Sequence, residues 1–139
     1  MTTEHMEELY SFSLGYNESN TRIRQETRGY TKSLRDKVNK LKASLEYTAS
    51  DNSLWSTWES QGTTLQKLRA TEIDSVTASM HKGKLEITPD SRLRRVFVLS
   101  GSVSSNYSLE PYVEGSVFEI LFGDTVTLEG TCTLQIVWR

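Results

Sequence analysis

The sequence predicts a segregated α+β fold, in which an N-terminal helical, coiled-coil-like segment precedes a small all-antiparallel β-sandwich or jelly-roll-like domain. Three observations predict it. Apolar residues recur at helical spacing between 21 and 48; the apolar period changes to two from Ile73 onward; and short strand-like runs in the second half are separated by glycine, proline and Asn/Asp turn signals. These features divide the chain into an N-terminal arm (1–18), a helical oligomerisation region (19–71) and a β domain (72–139).

In the arm, Met6, Leu9, Tyr10 and Leu14 share one helical face before Gly15 and Asn17 interrupt it. Ser19 and Asn20 offer an N-cap, and Gly29 is the sole glycine or proline between 21 and 48, so a helix is expected over that span. The cluster Thr48-Ala-Ser-Asp-Asn-Ser53 ends it, because these side chains compete for backbone hydrogen bonds. Within the helix, Ile23, Leu34 and Leu45 are eleven apart, as are Tyr30 and Leu41, and Thr27 and Val38. Ile23, Tyr30, Leu34, Val38, Leu41 and Leu45 therefore form an apolar stripe within an arc of about 100°. An eleven-residue repeat averages about 3.67 residues per turn, which suits nearly straight or slightly right-handed association. The stripe is read as an oligomerisation seam, with a homotrimer preferred; packing on the chain's own β domain is the alternative.

Away from that seam, Arg24, Arg28, Lys32, Arg35 and Lys42 gather within about 80°. Such a face can follow phosphates or an acidic protein partner, but no aromatic residues are interleaved for base stacking, so a solvated surface is the first reading. Residues 53–62 read as a short helix opened by Ser53 and closed by Gly62, carrying Trp55 and Trp58 as an aromatic anchor or as packing where the halves meet. Residues 63–71 read as one more helical segment.

From residue 73 the pattern is β. Val76, Ala78 and Met80 alternate, His81-Lys-Gly-Lys84 reads as a turn, and Leu85 and Ile87 alternate again, which together suggest a hairpin. Strands follow at 93–100, 103–109, 117–122, 126–129 and 131–138, with Gly101, Pro111, Gly115, Gly123-Asp124 and Gly130 in the gaps. The last is the clearest: Cys132, Leu134, Ile136 and Trp138 point one way and Thr131, Thr133, Gln135 and Val137 the other. A β domain this small buries only about 60% of its unfolded surface, which again favours an oligomer.

Composition limits function. The net charge of −2 argues against bulk electrostatic binding of nucleic acid, and the single cysteine excludes an intrachain disulfide. No apolar run is long enough to span a bilayer, and the residues from Met1 to Glu8 lack the basic and apolar regions of a signal peptide, so a virion or a cytoplasmic assembly is expected rather than secretion. His5 and His81 have no partners at metal-ligand spacing, no glycine-rich phosphate loop appears, and Cys132 lies mid-strand on an apolar face. The stretch Gly115-Ser-Val-Phe-Glu-Ile-Leu-Phe-Gly-Asp124, followed by Leu128-Glu-Gly130, resembles the small β-barrel rhythm of cupins, but the histidines with which those barrels hold metal are missing. No catalytic residue, cofactor or metal site is therefore assigned. The expectation is a non-enzymatic structural or attachment protein of a viral or phage particle, with a helical stalk, a β head, and other virion or scaffold proteins as partners. The alternative is an adaptor that binds nucleic acid or an acidic protein through the basic helix.

Overall fold

A computed structural model of the chain describes residues 23–27, 36, 39, 55–68, 74–88, 94–108, 110–121 and 125–138. The elements are eight strands: β1 (Ile23–Thr27), β2 (Trp55–Ser60), β3 (Thr63–Leu68), β4 (Asp74–Ile87), β5 (Arg94–Ser105), β6 (Tyr112–Val113), β7 (Val117–Ile120) and β8 (Val126–Trp138). They form one antiparallel sheet in the order β1-β7-β5-β8-β4-β3-β2, with β6 paired to β5. Asp36 and Asn39 are exposed positions with helical backbone, flanked by residues outside the described set. Among the described residues no helix is long and apolar enough to cross a membrane.

This corrects the segregated α+β reading. Where the helix over 21–48 is expected to begin, Ile23–Thr27 is a strand whose Ile23 pairs with Ile120 and Gln25 with Phe118 of β7. Of the proposed seam, Ile23 lies in this strand, and Tyr30, Leu34, Val38, Leu41 and Leu45 lie outside the described residues. Of the basic face, Arg24 also lies in β1, and Arg28, Lys32, Arg35 and Lys42 lie outside the described residues. Of the short helix expected over 53–62, the described residues 55–62 are not helical either. Trp55–Ser60 pairs with Thr63–Leu68 in a hairpin closed by Gln61 and Gly62 at φ of 51° and 75°. Two consecutive positive φ values are what a tight hairpin turn requires, and a glycine suited to ending a helix suits it equally.

The expected hairpin at 74–87 is instead one strand, β4, carrying a bulge at His81 and Lys82 where its register against β8 shifts between Met80 and Gly83. Strand β5 carries a second bulge against β8, between Val98 and Ser100. The two flanking strands each take up one extra residue beside the same stretch of β8, which bends all three and raises their twist. Gly101 sits at the bend with φ of 77°, and a Cβ there would lie 2.2 Å from the Thr131 carbonyl oxygen, so neither the dihedral nor the space admits a side chain. Thus Gly101 and Gly130 are bends within continuous strands rather than gaps between them.

The bend turns the sheet over on itself. Val76 and Ala78 from the first half of β4, Ile87 from its second half, Val96 and Val103 from β5, and Leu128 and Leu134 from β8 all belong to one buried apolar cluster. The opposite face of the first halves is buried as well: Phe97, Val117, Glu119, Gln135 and Val137 have no exposed surface. Polar groups on that face are paired across strands. The Thr77 hydroxyl donates to Gln135 Oε1 at 2.7 Å, Gln135 Nε2 donates to the Ser75 hydroxyl, and Arg95 Nη2 lies 3.1 Å from Glu119 Oε2.

Candidate functional site

Because β4 doubles back, residues some ten positions apart in sequence face each other across a cavity of about 260 Å³ at one end of the folded sheet. Val76, Ile136 and Trp138 line it together with Leu85, Glu86, Ile87 and Thr88 from the second half of β4 and the residue after it, and with Trp58, Leu65 and Arg94. The inward phase of β8, set by Cys132, Leu134 and Ile136, brings Trp138 to the rim. Arg94 is the Cα partner of Trp138 in β5 and lies in phase with the buried Val96 and Val98, so the same alternation carries a guanidinium to the rim.

Two cations approach the indole. The Arg94 guanidinium carbon is 5.0 Å from the Trp138 ring centroid and Lys67 Nζ is 5.7 Å from it. At such distances the negative face of the ring attracts the cations and restrains their orientation. Asp74, the partner of Trp138 in β4, lies 3.7 Å from Lys67 Nζ and offsets its charge. Arg94 and Glu86 are the charged groups lining the cavity, and Thr88 adds a hydroxyl that is 2.9 Å from the Thr125 hydroxyl. An apolar body with a few polar groups at its edge is the usual composition of a small-molecule site.

Among the described residues the donor set does not suit a resident metal ion. The side chains facing the core from β4, β5, β7 and β8 include Val76, Ala78, Val96, Val98, Phe118 and Leu134, none of which can ligate. Met80 and Cys132 are the sulfur residues there, and burial pushes the Cys132 thiol up from 9.0 to about 11. His81 is exposed on the bulge, and among the described residues no three His, Cys, Asp or Glu side chains cluster.

Of the residues singled out in the sequence, Trp58 lines the cavity, with 43% of its surface exposed. Trp55 lies in the same strand, β2. The proposed seam and basic face contribute nothing to the cavity among the described residues. Sequence reasoning missed Arg94, Glu86 and the role of Trp138. An arginine in phase with two buried valines was a legible signal for Arg94; Glu86 left none, since it alternates with Leu85 and Ile87 as a solvent-facing residue does.

No family model and no curated protein matches the chain. Solved structures do resemble it. Mannose 6-phosphate isomerase from Bacillus subtilis aligns at 25% identity and a TM-score of 0.51, covering 60% of this chain and 27% of the isomerase. The Streptomyces protein Pac13, described as a nucleoside dehydratase and solved with uridine, aligns at 13% identity and a TM-score of 0.54, covering 62% and 75% of the two chains. Quercetin 2,3-dioxygenase from Acinetobacter baumannii aligns at 12% identity and a TM-score of 0.50, covering 60% of this chain and 33% of the dioxygenase. This chain thus spans about a quarter of the isomerase. These neighbours have cupin-like barrels, and the described strands share that fold in place of the helical stalk with a separate β head on which the viral reading rested. Of the basic helix on which the adaptor alternative rests, Arg24 lies in strand β1 and the other basic residues lie outside the described set. The fold is that of a cupin-like barrel.

Proposed function

We propose that the chain is a cupin-like enzyme that binds a small molecule with a planar apolar body and an anionic group, and acts on it by proton transfer without a metal. The cavity beside Trp138 carries this reading: it is apolar except at its edge, where a cation and a carboxylate are held on different strands. The apolar walls exclude water and so strengthen attraction between Arg94 and a bound carboxylate or enolate oxygen. Glu86, with about half of its side chain exposed, remains in exchange with solvent and serves as proton acceptor and donor. It removes a proton from carbon, the C–H electron pair moves onto the adjacent carbonyl oxygen facing Arg94, and the proton returns at another position or a leaving group departs. Isomerisation and elimination share this first step. That the solved neighbours include an isomerase and a dehydratase supports the reading.

Phenylpyruvate is a suitable probe, being anionic and enolisable, with a flat aromatic ring and an enol that is planar throughout. Its binding is followed by tryptophan fluorescence and its C3 hydrogen–deuterium exchange in D2O by NMR. Exchange above the buffer rate is expected, with Glu86→Gln lowering it about 100-fold at unchanged affinity and Arg94→Met weakening binding about 10-fold or more. Exchange at the buffer rate, with no fluorescence change, overturns the proposal.

A further inference from the structure

The cavity at Trp138 does not end at Trp58. A second cavity of about 240 Å³ shares Trp58, Leu65, Leu85 and Glu86 with the first and continues past them to Ser60, Gln61, Thr63 and Lys84. The two are one groove of changing chemistry, running from aliphatic side chains beside an arginine to hydroxyl, amide and ammonium groups. Trp58 stands at the boundary, and a half-exposed indole presents a flat apolar surface on which a ring can lie.

The polar end is preformed. The hairpin turn at Gln61 and Gly62 is fastened to the β4 bulge by two backbone hydrogen bonds, from His81 N–H to the Gly62 carbonyl at 3.0 Å and from Lys84 N–H to the Gln61 carbonyl at 3.1 Å. The Thr63 hydroxyl donates to the Lys84 carbonyl at 3.2 Å. The approach is so close that a Cβ on Gly83 would lie 2.7 Å from the Gly62 carbonyl oxygen, so the turn cannot rest there unless residue 83 is glycine. A wall held in this way needs no ordering when a ligand arrives, which favours affinity.

Lys84 Nζ is 3.5 Å from Glu86 Oε1, so a cation and an anion stand side by side in this half of the groove. Paired charges of opposite sign, together with Ser60 and Gln61, offer donors and acceptors without a net field. This suits a neutral polyhydroxyl group better than a second anion. Building on the proposed function, we infer that the substrate is a conjugate: a planar anionic body seated against Trp138 and Arg94, joined to a glycosyl unit that crosses Trp58 and lies against Ser60, Gln61 and Lys84.

The test compares 4-hydroxyphenylacetate with its 4-O-β-glucoside by isothermal titration calorimetry on the full chain. The glucoside is expected to bind about 10-fold more tightly, and a Ser60→Ala/Lys84→Met double variant to lose that gain while binding the aglycone as the wild type does. Equal affinity of the two ligands for the wild type, or a gain that survives in the variant, overturns the inference while leaving the Arg94 cavity in place. Failure of both ligands to bind overturns the underlying reading as well.

Discussion

Arg95 and Glu119 are Cα partners across β5 and β7, and their side chains meet at 3.1 Å, with the carboxylate wholly buried and the arginine 13% exposed. The pair lies on the opposite face of the sheet from the Trp138 cavity, in the row that continues through Val137 to Ser75. Removing one member takes this partner of opposite charge away from a buried or nearly buried group. Arg95→Met and Glu119→Ala are each expected to cost about 3–5 kcal/mol in urea unfolding, and the double variant Arg95→Met/Glu119→Leu much less than their sum. Single variants within about 1 kcal/mol of wild type would show that the pair has no structural role.

The bend in β5 depends on a residue without a side chain. Gly101→Ala places a Cβ against the Thr131 carbonyl in an unfavourable dihedral, so a loss of more than about 2 kcal/mol is expected, while Ser100→Ala next to it stays within about 0.5 kcal/mol. Thermal melts followed by circular dichroism distinguish them, and equal melting temperatures would refute the steric account.

Gln135, with no exposed surface, bridges the buried Ser75 and the half-buried Thr77 from the neighbouring strand. Replacing it with leucine, similar in size but unable to hydrogen-bond, leaves two hydroxyls on β4 without this partner. A cost of about 1–3 kcal/mol is expected in denaturant unfolding. The companion variant Ser75→Ala/Thr77→Val/Gln135→Leu should recover part of it, and no recovery would mean that these bonds do not act together.

Cys132 is 5% exposed and its thiol is raised to about 11 by burial. In the native protein it should resist iodoacetamide at pH 8 and react fully in urea. The pH dependence has a defined sign. Below about pH 9 both folded and unfolded thiols are protonated and nothing changes; between 9 and 11 only the unfolded thiol ionises, so stability falls as pH rises. A loss of about 2 kcal/mol is expected over that window and should be absent in Cys132→Val. Identical pH profiles for the two proteins would count against a buried, protonated thiol.

The strands whose sequences alternate were legible because one face of each is in the core: Val76, Ala78 and Met80, or Leu134, Ile136 and Trp138, state their phase directly. What was not legible is where an irregularity bends a strand rather than ending it. His81-Lys-Gly-Lys84 has the composition of a turn, and only the ladder with Gly130 to Val126 shows that the strand resumes with the same partner. The N-terminal strands were missed for a different reason. Ile23-Arg-Gln-Glu-Thr27 is rich in helix formers, and its state is set by Val117 to Ile120, about a hundred residues away. In β3, Leu65 and Leu68 satisfy a helical spacing as readily as a strand. The cavity is hidden for the same reason: without the bulge in β4, nothing in the sequence places Glu86 and Arg94 along one cavity. The cupin-like rhythm around residues 115–130 is visible in the sequence, and the missing histidines that argue against a cupin enzyme there bear on metal binding alone.

Strand β8 is paired along nearly its whole length with β4 on one side and β5 on the other, although both precede it in sequence. During synthesis, therefore, β4 and β5 emerge with their partner not yet made, and they do not pair with each other in the finished sheet. Their apolar edges must wait for Val126–Trp138 to leave the ribosome, an interval in which aggregation competes with folding. Slow decoding or truncation within residues 126–138 would then affect the yield of soluble protein far more than the same change within β2, whose pairing with β3 is local.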